Sequence, residues 1–170
     1  VNFIEGNNLN PVKLINTHCH IDHILGNKFV SKKWELELYM HQLELPLLEG
    51  AGRIAENYGF ELYEGSPYPK HFLKEGDILE FGNSKLEVIF APGHAPGHIC
   101  LLSKQDNFIV SGDVLFNGSI GRTDLPGGNF DTLINSIKSK LLILNDDIKV
   151  YCGHGPFTTI GKERENNPFL

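Results

Sequence analysis

Cysteine is scarce in this chain of 170 residues, and the three present, Cys19, Cys100 and Cys152, form an odd set without disulfide-framework spacing. That pattern predicts a reducing compartment, of which the cytoplasm is the simplest. Positive charge is short as well: 15 Lys and Arg stand against 21 Asp and Glu, for a formal charge of -6. A nucleic-acid-binding surface needs a basic face, so nucleic acid is not expected as a partner. No apolar run approaches the roughly 20 residues that cross a bilayer, and the first residues do not read as a secretory leader. A membrane partner is therefore not expected either. Internal repeats and low-complexity linkers are also missing. The chain is 41% hydrophobic, enough for one domain over residues 1–170 with a core. Its 18 Gly and nine Pro predict many turns and structured loops.

Histidine is abundant in one place. Thr17-His18-Cys19-His20-Ile21-Asp22-His23 carries three imidazoles and a carboxylate within six positions. Imidazole nitrogen and carboxylate oxygen are donors favoured by zinc, iron and manganese. Residues 13–16 form a strand-like run leading in. An extended backbone points His18 and His20 to one side, while Asp22 and His23 follow at a bend into a helix. One cluster can thus feed two adjacent metal positions. A solvated, His-rich loop is the competing explanation. Cys19 and Cys152 adjoin candidate ligands and could serve as thiolate ligands themselves, but they read first as small packing residues.

The remaining pattern alternates strands with helices. Helices are expected at 24–33, 42–58, 130–144 and 158–166, with Asp131 and either Thr158 or Thr159 available as N-caps. Residues 35–40 alternate polar and apolar as a half-buried strand does. Hairpins are expected from 77–81 with 85–90 and from 99–103 with 107–111, and another strand at 148–152. Residues 65–70 read as a surface loop. This mixture predicts a sheet core covered by helices, an α/β (α+β) fold.

Three further motifs follow strands. Ala91-Pro92-Gly93-His94-Ala95-Pro96-Gly97-His98 is a stiffened loop holding His94 at a strand end. Ser111-Gly112-Asp113 places a carboxylate beyond Phe108-Ile109-Val110. Tyr151-Cys152-Gly153-His154-Gly155-Pro156 runs a strand into a Gly-flanked histidine. Each is weak alone. Together, strand ends carrying His or Asp beside Gly are hard to explain as packing.

The segments 17–23, 92–98, 111–113 and 152–154 resemble the metallo-β-lactamase superfamily. Gly121-Arg122-Thr123-Asp124-Leu125-Pro126-Gly127-Gly128 and the His154-Gly155-Pro156 end resemble its small bacterial glyoxalase II-like hydrolases. The resemblance implies an αββα sandwich with two divalent metal ions at one edge, zinc first, with iron or manganese as alternatives. His18, His20 and His94 would hold one ion, Asp22, His23 and His154 the other, and Asp113 would bridge them. His98 takes a supporting role. Most of the family's N-terminal hairpin region does not precede the first motif. The N-terminal part of the first sheet is accordingly expected to be missing and the chain truncated there.

A water shared by two such ions loses its proton near neutral pH, and Asp22 would orient it or accept that proton. A thiolate leaves readily, so the implied activity is hydrolysis of a small acyl thioester, as in hydroxyacylglutathione hydrolases. Phe116 would line the substrate entrance. Arg122 is either a substrate anchor or an ion-pair partner of Asp124. The glyoxalase II tyrosine after the last histidine is replaced by Pro156 and Phe157, and these 170 residues do not include that enzyme's C-terminal helical domain. Thioester chemistry is therefore better supported than tight glutathione recognition. A similar family, the mononuclear iron persulfide dioxygenases, would use His18, His94 and Asp113 as a facial triad, but has Cys where His98 stands. A non-catalytic, metal-stabilised domain is the third reading. β-Lactam hydrolysis is disfavoured because such enzymes commonly have Cys at the Asp113 position. His41 and His71 read as surface or helix-end residues, and Trp34 and Phe130 as core or pocket wall. The oligomeric state stays open.

Overall fold

The computed structural model describes residues 1–60 and 62–170. Two sheets face each other. The first has three strands, β1 (Leu14–Ile15), β2 (Leu38–His41) and β3 (His71–Leu73), in that order and parallel. The second has six: β4 (Ile78–Phe81), β5 (Ser84–Phe90), β6 (Ile99–Ser103), β7 (Phe108–Gly112), β10 (Lys149–Cys152) and β11 (Thr158–Thr159). Their order across the sheet is β11-β10-β7-β6-β5-β4, antiparallel except for the parallel β10–β7 pair. A small hairpin, β8 (Leu115–Phe116) with β9 (Ser119–Ile120), follows β7, and a short helix, α1 (Asn2–Gly6), precedes β1.

Period-two alternation assigns the faces. On the second sheet Leu86, Val88, Ile99 and Leu101 point inward, where Ile15 and Tyr39 of the first sheet meet them. Ile89, Cys100, Leu102, Ile109 and Val150 point outward. There they are covered by α5 (Phe130–Ser136), the π turn Ile137–Leu141 and α6 (Ile160–Asn166). Leu38 and Met40 leave the outer face of the first sheet for α2 (Ile21–Ile24) and α4 (Leu45–Asn57). Helix, sheet, sheet and helix therefore stack in four layers, as expected, with the first sheet limited to three short strands.

Several boundaries differ from the sequence expectation. The helix expected at 24–33 is two pieces, α2 and α3 (Asn27–Trp34), broken at Leu25 and Gly26. The helix at 42–58 begins as a 3₁₀ turn, Gln42–Glu44, whose N-terminus His41 caps through Nδ1, accepting from Leu43 N–H at 3.2 Å. Asn129, not Asp131, caps α5. The cap must be extended, and Asn129 (φ -155°, ψ 119°) accepts from Thr132 N–H at 2.8 Å, while Asp131 already lies inside the helix. Thr159 caps α6. The strand at 71–73 was not expected. Phe130 is exposed at the start of α5 instead of packing in the core.

Candidate metal centre

The expected residues all emerge at one edge of the sheets. His18 follows β1. His20, extended at φ -66° and ψ 150°, stands at the N-cap of α2, whose single turn carries Asp22 and His23. His94 follows β5, Asp113 follows β7 and His154 follows β10. The parallel pairing of β10 with β7 sets Cys152 opposite Gly112, which brings Asp113, one residue on, and His154, two residues on, side by side.

Their donor atoms converge. His94 Nε2 lies 2.8 Å from His20 Nδ1, 3.3 Å from His18 Nε2 and 3.6 Å from Asp113 Oδ2. On the other flank His154 Nε2 lies 3.2 Å from His23 Nε2, 3.1 Å from Asp22 Oδ2 and 3.4 Å from Asp113 Oδ2. His23 Nε2 is also 3.5 Å from Asp113 Oδ1. The atoms fall into three mutually close groups: His18, His20 and His94; His18, His23 and Asp113; Asp22, His23 and His154. Asp113 is the carboxylate within reach of both flanks.

This donor set fits cations. His94 Nδ1 sits 2.7 Å from the Arg122 carbonyl, which can only accept, so Nδ1 carries the proton and Nε2 presents a lone pair to the cluster. Ring-to-ring hydrogen bonds can satisfy one N···N contact at a time, whereas a cation among the nitrogens satisfies all of them. Asp113 Oδ1 is buried with no hydrogen-bond partner, as are His20 Nε2 and His98 Nδ1. Burial, reinforced by the neighbouring imidazoles, holds His18 well below the usual imidazole range and lowers His20 to about 4. These rings stay neutral and ligand-ready at neutral pH. Burial likewise lowers His94, against the pull of the Arg122 carbonyl and Asp113. His23 is the exception: burial pulls it down, but Asp113 and Asp22 outweigh that and raise it. Burial would raise Asp113, yet His23, His94 and His154 hold its carboxyl below the usual range.

A second ring of groups fixes these side chains. The fully buried Glu44 accepts from Cys19 N–H at 2.7 Å and from Gly97 N–H at 2.6 Å. One carboxylate thereby ties the His18–His20 loop to the His94–His98 loop. Burial raises Glu44, offset in part by those two hydrogen bonds. A Cβ at Gly97 would press on Glu44, so the approach needs glycine. Sequence reasoning missed Glu44, because a lone Glu near a helix start reads as a solvated first-turn acid. His98 accepts from Asp113 N–H at 3.0 Å through Nε2 and stacks on His18 with centroids 4.6 Å apart. Gly153 is required beside Asp113, where a Cβ would overlap the carboxylate.

The remaining candidates lie around a cavity that opens over the cluster. Phe116 lines it, with its ring 6.2 Å from His154. Arg122 lines it too, but its guanidinium is engaged by both oxygens of Asp124 at 2.7 Å. Cys19 is packed against Met40, and neither it nor Cys152 enters a ligand group among the described residues.

The family model of the metallo-beta-lactamase superfamily matches residues 2–154. The chain belongs to that superfamily. It is 39% identical to hydroxyacylglutathione hydrolase GloC of Haemophilus influenzae over 168 residues, covering 98% of this chain and 79% of that protein. It is 41% identical to the probable metallo-hydrolase YqgX of Bacillus subtilis, over 99% of this chain and 80% of that one. The crystal structure of TTHA1623 in a di-iron-bound form superposes with a TM-score of 0.91 at 39% identity, covering 99% of this chain and 82% of that chain. A metallo-hydrolase superfamily chain with a His/Asp cluster at its sheet edge is thus a metal-binding hydrolase in its coarse character.

Proposed function

We propose that this chain is a metal-dependent thioester hydrolase of the hydroxyacylglutathione hydrolase type. The observation that carries the reading is the convergence of six donors on both flanks of Asp113. His18, His20 and His94 would hold one divalent ion, Asp22, His23 and His154 a second, with Asp113 between them. Zinc is the first choice; imidazole and carboxylate donors suit iron and manganese as well, and the similar TTHA1623 binds iron. Bound there, the pair of ions would supply an activated water and polarise a carbonyl.

The chain's own side chains supply the rest. Asp22, half-exposed, lines the cavity with an oxygen 3.1 Å from His154, where it can orient a nucleophilic water and take its proton. The Arg122 carbonyl fixes the His94 ring, and Glu44 keeps the two ligand loops in register. Phe116 narrows the entrance and helps keep bulk water from the reacting carbonyl. A thiolate leaving group needs no strong general acid, and none is needed here. The likeness to GloC supports the thioester class. Three free cysteines support a reducing, cytoplasmic setting.

The deciding experiment pairs metal analysis of the purified protein with an activity panel of S-lactoylglutathione, a simple acyl thioester and glutathione persulfide with oxygen. The expected result is one to two divalent ions per chain and thioester hydrolysis. Oxygen consumption with the persulfide, without thioester cleavage, would replace hydrolysis with dioxygenase chemistry. Metal binding with no turnover of any panel member would leave a metal-stabilised domain.

A further inference from the structure

The cavity over the cluster is about 770 Å³, room for a substrate well beyond the reacting carbonyl. Its floor is polar, made by His20, Asp22, His94, Asp113 and His154. Its walls are not. Leu47 and Ile54 of α4, with Phe60 beyond its end, line it together with Phe116, Leu125 and Pro126. Helix α4 turns its most buried side chains, Leu48, Ala51 and Ala55, to the first sheet, which leaves Leu47 and Ile54 partly exposed toward the cavity. Among the described residues lining it, Arg122 is the one Lys or Arg, and Asp124 already matches its charge with two hydrogen bonds. A glutathionyl arm, with two carboxylates and an ammonium, finds no free cation and much apolar surface there. Desolvating its charges against such walls is costly.

We infer that the cavity selects thioesters whose long arm is uncharged and apolar in preference to glutathione thioesters, with α4 as the specificity wall. This rests on the hydrolase reading above for the reacting group, but not for the arm. Apolar contact with the wall contributes in proportion to the area covered. Each methylene added to the arm therefore raises kcat/KM about fourfold until the wall is filled.

The test uses the metal-loaded protein. One series lengthens the acyl side, from S-acetyl- to S-octanoyl-N-acetylcysteamine. A second keeps acetyl and lengthens an alkyl thiol. The series that shows the gain identifies which arm lies on α4. S-lactoylglutathione is measured beside them and is expected to be the poorer substrate. Ile54→Asn is expected to lower the long-to-short ratio of kcat/KM about tenfold in the series that shows the gain, a ratio that partial loss of folded protein does not alter. Asp124→Asn, at an exposed site, frees Arg122 and is expected to raise the lactoylglutathione-to-octanoyl ratio about threefold.

Binding of the non-hydrolysable S-octyl thioether of N-acetylcysteamine to wild type and Ile54→Asn, by calorimetry, separates the two ideas. If the thioether binds wild type with a negative heat-capacity change and the variant weakly, while no thioester turns over, the cavity inference stands and the hydrolase reading falls. If thioesters are cleaved, lactoylglutathione is preferred, and Ile54→Asn leaves the ratio unchanged, the inference is overturned while the hydrolase reading survives.

Discussion

His18 and His94 are 0% and 2% exposed, whereas the side chains of Asp22 and His154 keep 48% and 57% of their surface open. Both flanks offer three donors and share Asp113, yet they are built differently. The buried flank is braced from outside: Glu44 ties two of its loops, the Arg122 carbonyl fixes the His94 ring, and His98 stacks on His18. The open flank depends on the single turn of α2 and on a Gly-flanked loop after β10. Preorganised donors lose less freedom when an ion binds. On the two-ion reading proposed above, the buried flank would be the high-affinity position and the open flank the exchangeable one.

The sharpest challenge to that contrast is the residue both flanks share. Asp113→Ala is expected to lower thioester turnover about a thousandfold, equivalent to several kcal/mol of lost stabilisation, and to reduce metal content at both positions. Wild-type turnover by this variant would remove Asp113 from the centre. Next, single-ligand variants should separate the flanks. His154→Ala is expected to retain about one ion per chain by elemental analysis, and His94→Ala to lose the tightly held one. Equal losses in the two variants would erase the distinction. Smaller is the effect of Glu44→Gln, which turns one acceptor into a donor facing a backbone N–H. A 10- to 100-fold weaker hold on the first ion is expected in a chelator competition, with little change at the second.

The gentlest probe is pH. In the metal-free protein His20 and His98 are lowered from 6.5 to about 4 and about 3, chiefly by burial. The unfolded chain therefore binds more protons than the folded one between those values and 6.5. Stability is fully present above about pH 6.5 and falls as the pH drops from there toward 4. Thermal melts of metal-free protein at pH 7 and pH 5 should show the midpoint decreasing, and bound metal should delay the fall. A midpoint that rose on acidification would mean that these rings are not buried neutral.

The donor residues were legible because chemistry and conformation coincide in the sequence: His or Asp beside Gly, directly after an apolar strand. Their supports were less so. Glu44 is one acid among 21 Asp and Glu, and its burial depends on Cys19 and Gly97, which lie 25 and 53 positions away. Strand β3 has three residues, too few to show alternation, and exists because β2 offers it a partner. The split between α2 and α3 also needed structure, since a helical pattern runs through it and only Gly26 marks the break. The Arg122 alternatives were both legible. The bidentate contact with Asp124 favours the ion pair.

The parallel ladder between β7 and β10 acts as a ruler. Asp113 and His154 leave neighbouring strands, whose axes in any sheet lie about 4.8 Å apart. The spacing between the Asp113 carboxylate and the His154 imidazole is therefore set first by backbone hydrogen bonding and only then by side-chain choice. Evolution can exchange the element held at such an edge, or redecorate the rim above it, without remeasuring the distance across which the chemistry runs.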